Sequence, residues 1–288
     1  MITTAVQYIK LIRPANAAIT GCATALGIWL TGTRGFGAPL RSTLLLAAAA
    51  MAAAAYGNAV NDILDVESDR VSHPSRPLAS GALTARAAAA LAAALALGSL
   101  ACAAAASTFH AAAALVPVAL LTMYSIYFKR TRVVGNIIVA ALTGYALLFG
   151  SLPRPETKIL FAPALLAVLL NFCREIIKDV QDAEGDRAAG WATSASLPAW
   201  GIRAILTSVG AIYIVLMWAP SLMLGDFGMA YNAVCLVAVL PLQIYWMALI
   251  LRPELEKNAG RAGTALKLEM VAGMAALALD KVFIYFIN

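Results

Sequence analysis

The sequence predicts an all-α fold: a polytopic membrane bundle of nine transmembrane helices, two four-helix pseudo-repeats plus one, with cytoplasmic cap loops. Three observations predict it. The chain is 62% hydrophobic and 12% charged, with mean hydropathy +0.81, whereas a soluble domain carries about 25% charged residues. Its apolar stretches run for about 17–25 residues, the length that crosses bilayer hydrocarbon as a helix. A short acidic signature, D-x-x-D-x-E-x-D-R, also ends two of those stretches. It comprises Asp62, Asp65, Glu67, Asp69 and Arg70, then Asp179, Asp182, Glu184, Asp186 and Arg187. Each member of the second copy lies 117 residues (179 less 62) after its counterpart.

Taken in order, the segment from Met1 to Asn16 carries Lys10 and Arg13 and reads as a short amphipathic lead-in ending at Pro14, not a cleavable signal. Apolar spans follow at 16–32, 42–62, 85–105, 109–127, 134–152, 159–178, 201–223, 229–251 and 264–286. The gap at 106–108 is so short that the third and fourth spans form a tight hairpin. Alanine tracts at Ala47–Ala55, Ala87–Ala94 and Ala103–Ala106 are expected to let helices pack closely. The signatures follow the second and sixth spans, so the repeat unit is four helices. The two acidic segments can then face one another across an axis along the membrane normal, where parallel repeats place binding sites. Residues 1–288 are expected to form a single domain.

Charge sets the orientation. With a cytoplasmic N-terminus, all 21 Lys and Arg except Arg34, Arg41, Arg154, Lys158 and Lys281 fall on the inner side, as the positive-inside rule requires. The net charge of +6 therefore reads as topology and not as nucleic-acid binding. Both signatures lie on the cytoplasmic face of a cell-membrane protein, and so do all 15 acids except Glu156, Asp226 and Asp280. Cys22, Cys102, Cys173 and Cys235 are isolated in apolar sequence and are expected to be small buried hydrophobes. His73 and His110 are too separated to suggest a metal or relay site.

Eight carboxylates at membrane depth are costly unless cations bind them. Asn61, Asp65 and Asp69 are spaced i, i+4, i+8, on one face of a helix, with Asn58 one turn earlier. Lys178, Asp182 and Asp186 occupy the matching positions of the second copy, with Asp62 and Asp179 adjacent. An oxygen-only donor set suits Mg²⁺, which binds through few carboxylates plus substrate phosphates. The expected ligand is thus a diphosphate clamped by metal between the two clusters. Phosphate-binding cations are supplied by Arg70, Arg76, Lys129, Arg130, Arg174, Lys178 and Arg187. Arg132 and Arg203 read as orientation signals. The turn Arg76–Gly81 ends on a glycine expected to permit close backbone approach.

These residues resemble the UbiA superfamily of intramembrane prenyltransferases. Asn61-Asp62-x-x-Asp65-x-x-x-Asp69 is similar to its N-D-x-x-D-x-x-x-D motif, and Asp182-x-x-x-Asp186 to its second, D-x-x-x-D. Tyr124-Ser125-x-x-x-Lys129 is similar to its third loop motif, and Arg13-Pro14-x-Asn16 to its N-terminal R-P-x-N. The segment Arg174 to Asp186 looks most like that of the digeranylgeranylglyceryl phosphate synthases of the superfamily. Downstream the chain differs, with Gly190 to Pro198, G-W-A-T-S-A-S-L-P, replacing a short T-L-P run.

The resemblance implies a nine-helix fold and Mg²⁺-dependent transfer of a prenyl group, geranylgeranyl by preference, from an isoprenoid diphosphate. The acceptor it implies is a lipid-soluble one, geranylgeranylglyceryl phosphate in ether-lipid synthesis. Other acceptors in the superfamily are aromatic or quinone precursors and chlorophyllides. It implies metal ligation by Asn61, Asp65, Asp69, Asp182 and Asp186. Catalysis would rest on Asp65, Asp69, Asp182, Asp186 and Lys129. Substrate binding would rest on Asn58, Asn61, Arg76, Tyr124, Lys129, Arg130, Arg174 and Lys178. Asp62 or Asp179 would take the released proton. Lys178 stands where the first copy has Asn61, so a second anion, such as an acceptor phosphate, is expected beside it and Arg174. The rival reading, a transporter of an anionic substrate, expects ionisable residues and broken helices at the bilayer midplane. Glu269 and Asp280, both in the last span, are the acids that depart from the gathering at one face.

Overall fold

The computed structural model describes residues 2–32 and 39–287, and all regular structure among them is helical. In order these are α1 Ile2–Ile12, α2 Pro14–Leu30, α3 Leu40–Leu64, α4 Val66–Ser72, α5 Ala85–Ala106 and α6 Thr108–Ile126. There follow α7 Val134–Phe149, α8 Phe161–Ala188, α9 Ala199–Leu216, α10 Met229–Val234, α11 Leu240–Leu251 and α12 Leu255–Ile287. Arg34, assigned to the outer side, lies outside the described residues.

Seven segments are long and apolar enough to cross a membrane: Leu40–Leu64, Ala85–Ala106, Thr108–Ile126, Pro155–Ala188, Ala199–Met223, Met229–Leu251 and Leu255–Ile284. Val134–Phe149 is a shorter apolar helix, and α2 has 17 residues. Among the described residues the structure therefore supports seven spans and a shorter apolar helix, and does not by itself confirm the count of nine. Burial follows the bilayer as solvent: Val215, Leu222, Met223 and Val237 are each more than two-thirds exposed, as lipid-facing side chains should be.

Local chemistry explains the breaks. Pro14 stands at the first position of α2, where its missing N–H costs nothing. Arg13 before it adopts left-handed backbone (φ 50°), a conformation that costs roughly 1–2 kcal/mol for a non-glycine residue. Ser107 alone separates α5 from α6; its hydroxyl accepts from the His110 N–H (3.2 Å), closing the hairpin the sequence predicts. Between α10 and α11 the helix widens into a π-turn, Cys235–Val239, just before Pro241, where the proline ring would otherwise meet the preceding turn.

The main apolar core joins α8, α9, α11 and α12 through Ile176, Ile177, Leu206, Met217, Trp246, Ile250 and Leu266. Smaller clusters hold the first half, and Ala49, Ala50, Ala88, Ala92 and Ala103 are buried in them, as the alanine tracts lead one to expect. Asp280 has a structural task. Its buried carboxylate accepts from the Gly228 (2.8 Å) and Tyr231 (3.0 Å) N–H groups, capping the first turn of α10 from a neighbouring helix. Arg203 does the converse, donating to the carbonyls of Ile250, Arg252 and Pro253 at the end of α11.

Candidate active site

The first signature straddles a slight break. α3 ends at Leu64 and α4 starts at Val66, yet the N–H of Asp65 donates to the Asn61 carbonyl (2.9 Å) and that of Asp69 to the Asp65 carbonyl (2.8 Å). The helical register runs through, so Asn61, Asp65 and Asp69 share a face. The second signature was expected beyond the end of its span at 178. It lies instead wholly inside α8, which continues to Ala188. No proline interrupts that stretch, and its inner face has α4 to pack on.

The two copies meet at equivalent positions. Ser68 and Gly185 are related by the same 117-residue offset (185 less 68). A Cβ at Gly185 would collide with the Ser68 carbonyl and the Ser72 hydroxyl. Only glycine admits this approach. Ser72 accepts from the Gly185 N–H (2.9 Å) and donates to the Asp182 carbonyl (3.2 Å). Ser68 donates to Asp186 (2.9 Å), and His73 bonds Asp182 at 2.6 Å. The acidic faces are thereby held against each other.

Cations fill the seam. Lys129 pairs with Asp65, Arg76 with Asp69 and, at 3.8 Å, Asp62, and Arg13 with Asp62. Burial works against the charge on Arg76, but Asp69 and Asp62 outweigh it and hold the guanidinium above its usual range. Asn61 donates to Asp65. Asp62, Asp65, Asp69, Asp186 and Lys129 are all buried.

Several expected site residues make no direct contact with the aspartates of the seam. Arg70, Arg187, Glu67 and Glu184 are exposed, because positions six and nine of the signature fall on the opposite helix face. Arg130 is exposed and lies over the Trp191 ring (4.9 Å) with Lys129 (5.4 Å). Arg174 and Lys178 turn to Glu175 (2.7 and 3.6 Å) and not to the aspartates. Asn58 donates to the Ile12 carbonyl (3.0 Å), fastening the end of α1. Asp179 is tied through one carboxylate oxygen: its Oδ2 accepts from Asn136 (3.0 Å) and from both the N–H (3.2 Å) and hydroxyl (2.6 Å) of Ser194. Gly81 has nothing within 4 Å of an added Cβ, and its need is the positive φ of 74°. Cys22 is exposed, not buried, although Cys173 and Cys235 are buried as expected.

Sequence reasoning missed His73, Ser68, Ser72, Glu175 and Lys267. Glu175 had a signal, a lone acid one turn before Asp179 in an apolar helix. His73 had none, since its partner is 109 residues away.

Below the seam a cavity of about 290 Å³ enters the bundle. Arg13, Asn58, Asn61, Tyr124, Arg174 and Lys178 line its mouth, and Ala50, Leu121, Leu142, Leu170, Val239 and Leu277 its interior. Glu269 touches this space, fully buried, accepting from the Trp246 indole (2.9 Å) with its other oxygen unpartnered. The buried acids of the last helix thus belong to a cap and to a side-chain network, and the midplane pattern expected of a transporter is not what the described residues form.

The donor set fits Mg²⁺. Asn61, Asp65, Asp69, Asp182 and Asp186 offer only oxygen, and the Asn61 Oδ1 and Asp186 Oδ2 atoms are buried without a partner. Among the described residues no group of three or more His, Cys, Asp or Glu side chains is placed to hold a metal ion by itself. An ion that retains waters and takes phosphate oxygens does not need one.

A family model described as the UbiA prenyltransferase family matches residues 20–268. The chain is 30% identical to a digeranylgeranylglyceryl phosphate synthase of Thermococcus kodakarensis over 93% of its own length and 95% of the relative's. It is 32% identical to the enzyme of that name from Thermococcus sibiricus, over 96% and 97%. A solved digeranylgeranylglyceryl phosphate synthase structure superposes with TM-score 0.74 at 27% identity, covering 96% of this chain and 98% of that one. A UbiA homologue of Archaeoglobus fulgidus, solved with GPP and Mg²⁺, shares the fold at TM-score 0.66 and 21% identity, over 94% and 99%.

Proposed function

The chain belongs to the UbiA prenyltransferase family, and from that premise we propose that this membrane-embedded prenyltransferase moves a geranylgeranyl group from its diphosphate onto geranylgeranylglyceryl phosphate, forming an ether lipid. One observation carries the reading: two acidic signatures, partnered by Lys129, Arg76, Arg13 and His73, pack together beside a largely apolar cavity whose lining includes Asn61, Arg13 and Lys178. A molecule with an anionic head and a hydrocarbon tail matches that shape and polarity. The acceptor follows from relatives named for it that align along nearly the whole chain. The Archaeoglobus fulgidus homologue, solved with GPP and Mg²⁺, supports the donor class and the metal.

Asn61, Asp65, Asp69, Asp182 and Asp186 would hold Mg²⁺. A metal ion held there would supply positive charge to offset what grows on the leaving diphosphate. Lys129 and Arg76 already lie against those carboxylates, so each can pass from carboxylate to phosphate with a small movement and stabilise the departing diphosphate. Tyr124 and the apolar walls keep bulk water from the allylic cation until the acceptor hydroxyl reaches it. Arg174 and Lys178 face the acceptor side of the mouth. The whole chain acts as one domain, its signatures opening to the cytoplasm.

A product assay tests this. Purified protein with Mg²⁺ and geranylgeranyl diphosphate is offered geranylgeranylglyceryl phosphate, chlorophyllide or 4-hydroxybenzoate in parallel. The ether product should form with the first and vanish in an Asp65→Ala/Asp182→Ala variant. Metal-dependent prenylation of either of the others alone would keep the family and replace the acceptor.

A further inference from the structure

Beside the mouth of the apolar cavity lies a second cavity of about 270 Å³. Arg174 and Lys178 enter its wall from α8, Lys267 from α12 and Arg13 from the start of α2; all four also line the larger cavity, so the two spaces adjoin. On α12, Gly263 leaves the facing wall open, since an added Cβ would meet only Gln181 and Ile177, at 3.4 and 3.7 Å. His73, Arg76 and Asp182 close the side toward the signatures.

The charges here do not balance. Arg13 is matched by Asp62, but Arg174 and Lys178 share one carboxylate, Glu175. Lys267 is in no ion pair among the described residues, and Arg174, Lys178 and Arg13 line the same cavity. Two acids stand beside the cations, but Asp182 is bonded to His73 and assigned to the metal, so Glu175 is left to offset Arg174, Lys178 and Lys267. The surplus is about two positive charges next to apolar surroundings, where uncompensated charge is costly.

We propose that this bay seats a phosphate monoester on the acceptor lipid and that Lys267 is the residue that selects it. A phosphate monoester carries about −1.5 to −2 charge at pH 7, which the surplus matches. A carboxylate or the phosphodiester of a bilayer lipid carries one charge and leaves the bay half neutralised. The donor diphosphate belongs over Asn61, Asp65, Asp69, Asp182 and Asp186, so the bay is available to a second anion. The adjoining apolar cavity takes the lipid tail of the same molecule. The inference rests on the glyceryl-phosphate reading above.

Binding in detergent with EDTA tests it, because divalent bridging then contributes nothing. Geranylgeranylglyceryl phosphate is titrated against the unaltered protein, Lys267→Gln, Lys267→Arg, and Lys257→Gln as control, Lys257 being an exposed residue paired with Glu254 (2.6 Å). Lys267→Gln should weaken binding by about tenfold or more, the loss expected when a charge-assisted contact is removed. Lys267→Arg should stay close to the unaltered protein and Lys257→Gln should match it. Geranylgeranylglycerol, which lacks the phosphate, should bind Lys267→Gln and the unaltered protein alike. Inorganic phosphate and phosphatidylglycerol are the remaining arms. If either binds as tightly as the glyceryl phosphate, the bay holds a free phosphate or a bilayer headgroup and the proposal falls. Equal affinity of Lys267→Gln and the unaltered protein for the glyceryl phosphate also overturns it. Prenylation of an aromatic acceptor alone, with Lys267-dependent phosphate binding intact, would defeat the acceptor reading and spare the bay. Prenylation of the glyceryl phosphate with Lys267 indifferent would do the reverse.

Discussion

Lys178 and Asp179 are neighbours on α8 and serve different ends. Lys178 faces the cavity mouth beside Glu175, whereas Asp179 faces away and holds Ser194 and Asn136. The polar run after Gly190 is thereby tied down, and it brings Trp191 over Lys129 and Arg130. Asp179→Asn should therefore keep transfer within about fivefold of the unaltered enzyme, while the Ser194 amide exchanges its hydrogen faster. A loss in the range of about 10²–10⁴ typical of a missing general base, with exchange unchanged, would return Asp179 to the chemistry. At this scale residue type was legible and partnership was not. Helical spacing put Asn61, Asp65 and Asp69 on one face, but nothing local distinguishes Arg76, which reaches Asp69, from Arg70, which is exposed. The partner of a long cation depends on which segments lie beside it.

Among elements, the packing of α4 on α8 matters most, because it turns two separate acidic stretches into one seam. Gly185 is where they touch. Gly185→Val should push α4 from α8 and reduce transfer by about 10² or more, since displacements near 1 Å cost that much at a positioned site. Its far-ultraviolet circular dichroism should stay helical. Full activity in that variant would mean that the seam tolerates separation and that the signatures act independently. Helix positions were readable from hydropathy, and the Ser107 hairpin from the short gap. Lengths were less so: α8 passes its apolar stretch by ten residues (188 less 178) because a polar helix face was waiting for α4. The role of Asp280 was invisible for a related reason, as its partners at Gly228 and Tyr231 belong to another helix.

For the molecule as a whole, polar chemistry gathers at one end of an otherwise lipid-facing bundle. Arg13, the signatures, Arg76 and Lys129 all meet there, and the orientation we propose from the Lys and Arg asymmetry puts that end in the cytoplasm. Glu254→Cys, on the exposed turn before α12, should react with a membrane-impermeant maleimide only when the cytoplasmic face is open. Labelling of intact cells from outside would invert the orientation without touching the site chemistry.

Composition, apolar run length and the repeated signature were enough to specify a helical membrane protein, its two acidic segments and the residues on which the proposed hard-cation phosphate chemistry rests. All three are one-dimensional consequences of solvent and ligand. Folding in three dimensions added what depends on long-range contact: the meeting of Ser68 with Gly185, the bond of His73 to Asp182, and the bay that Lys267 completes from the last helix. Those pairings join residues about a hundred or more positions apart, or helices with no shared motif. Their energies arise only when the apolar faces of the bundle have packed.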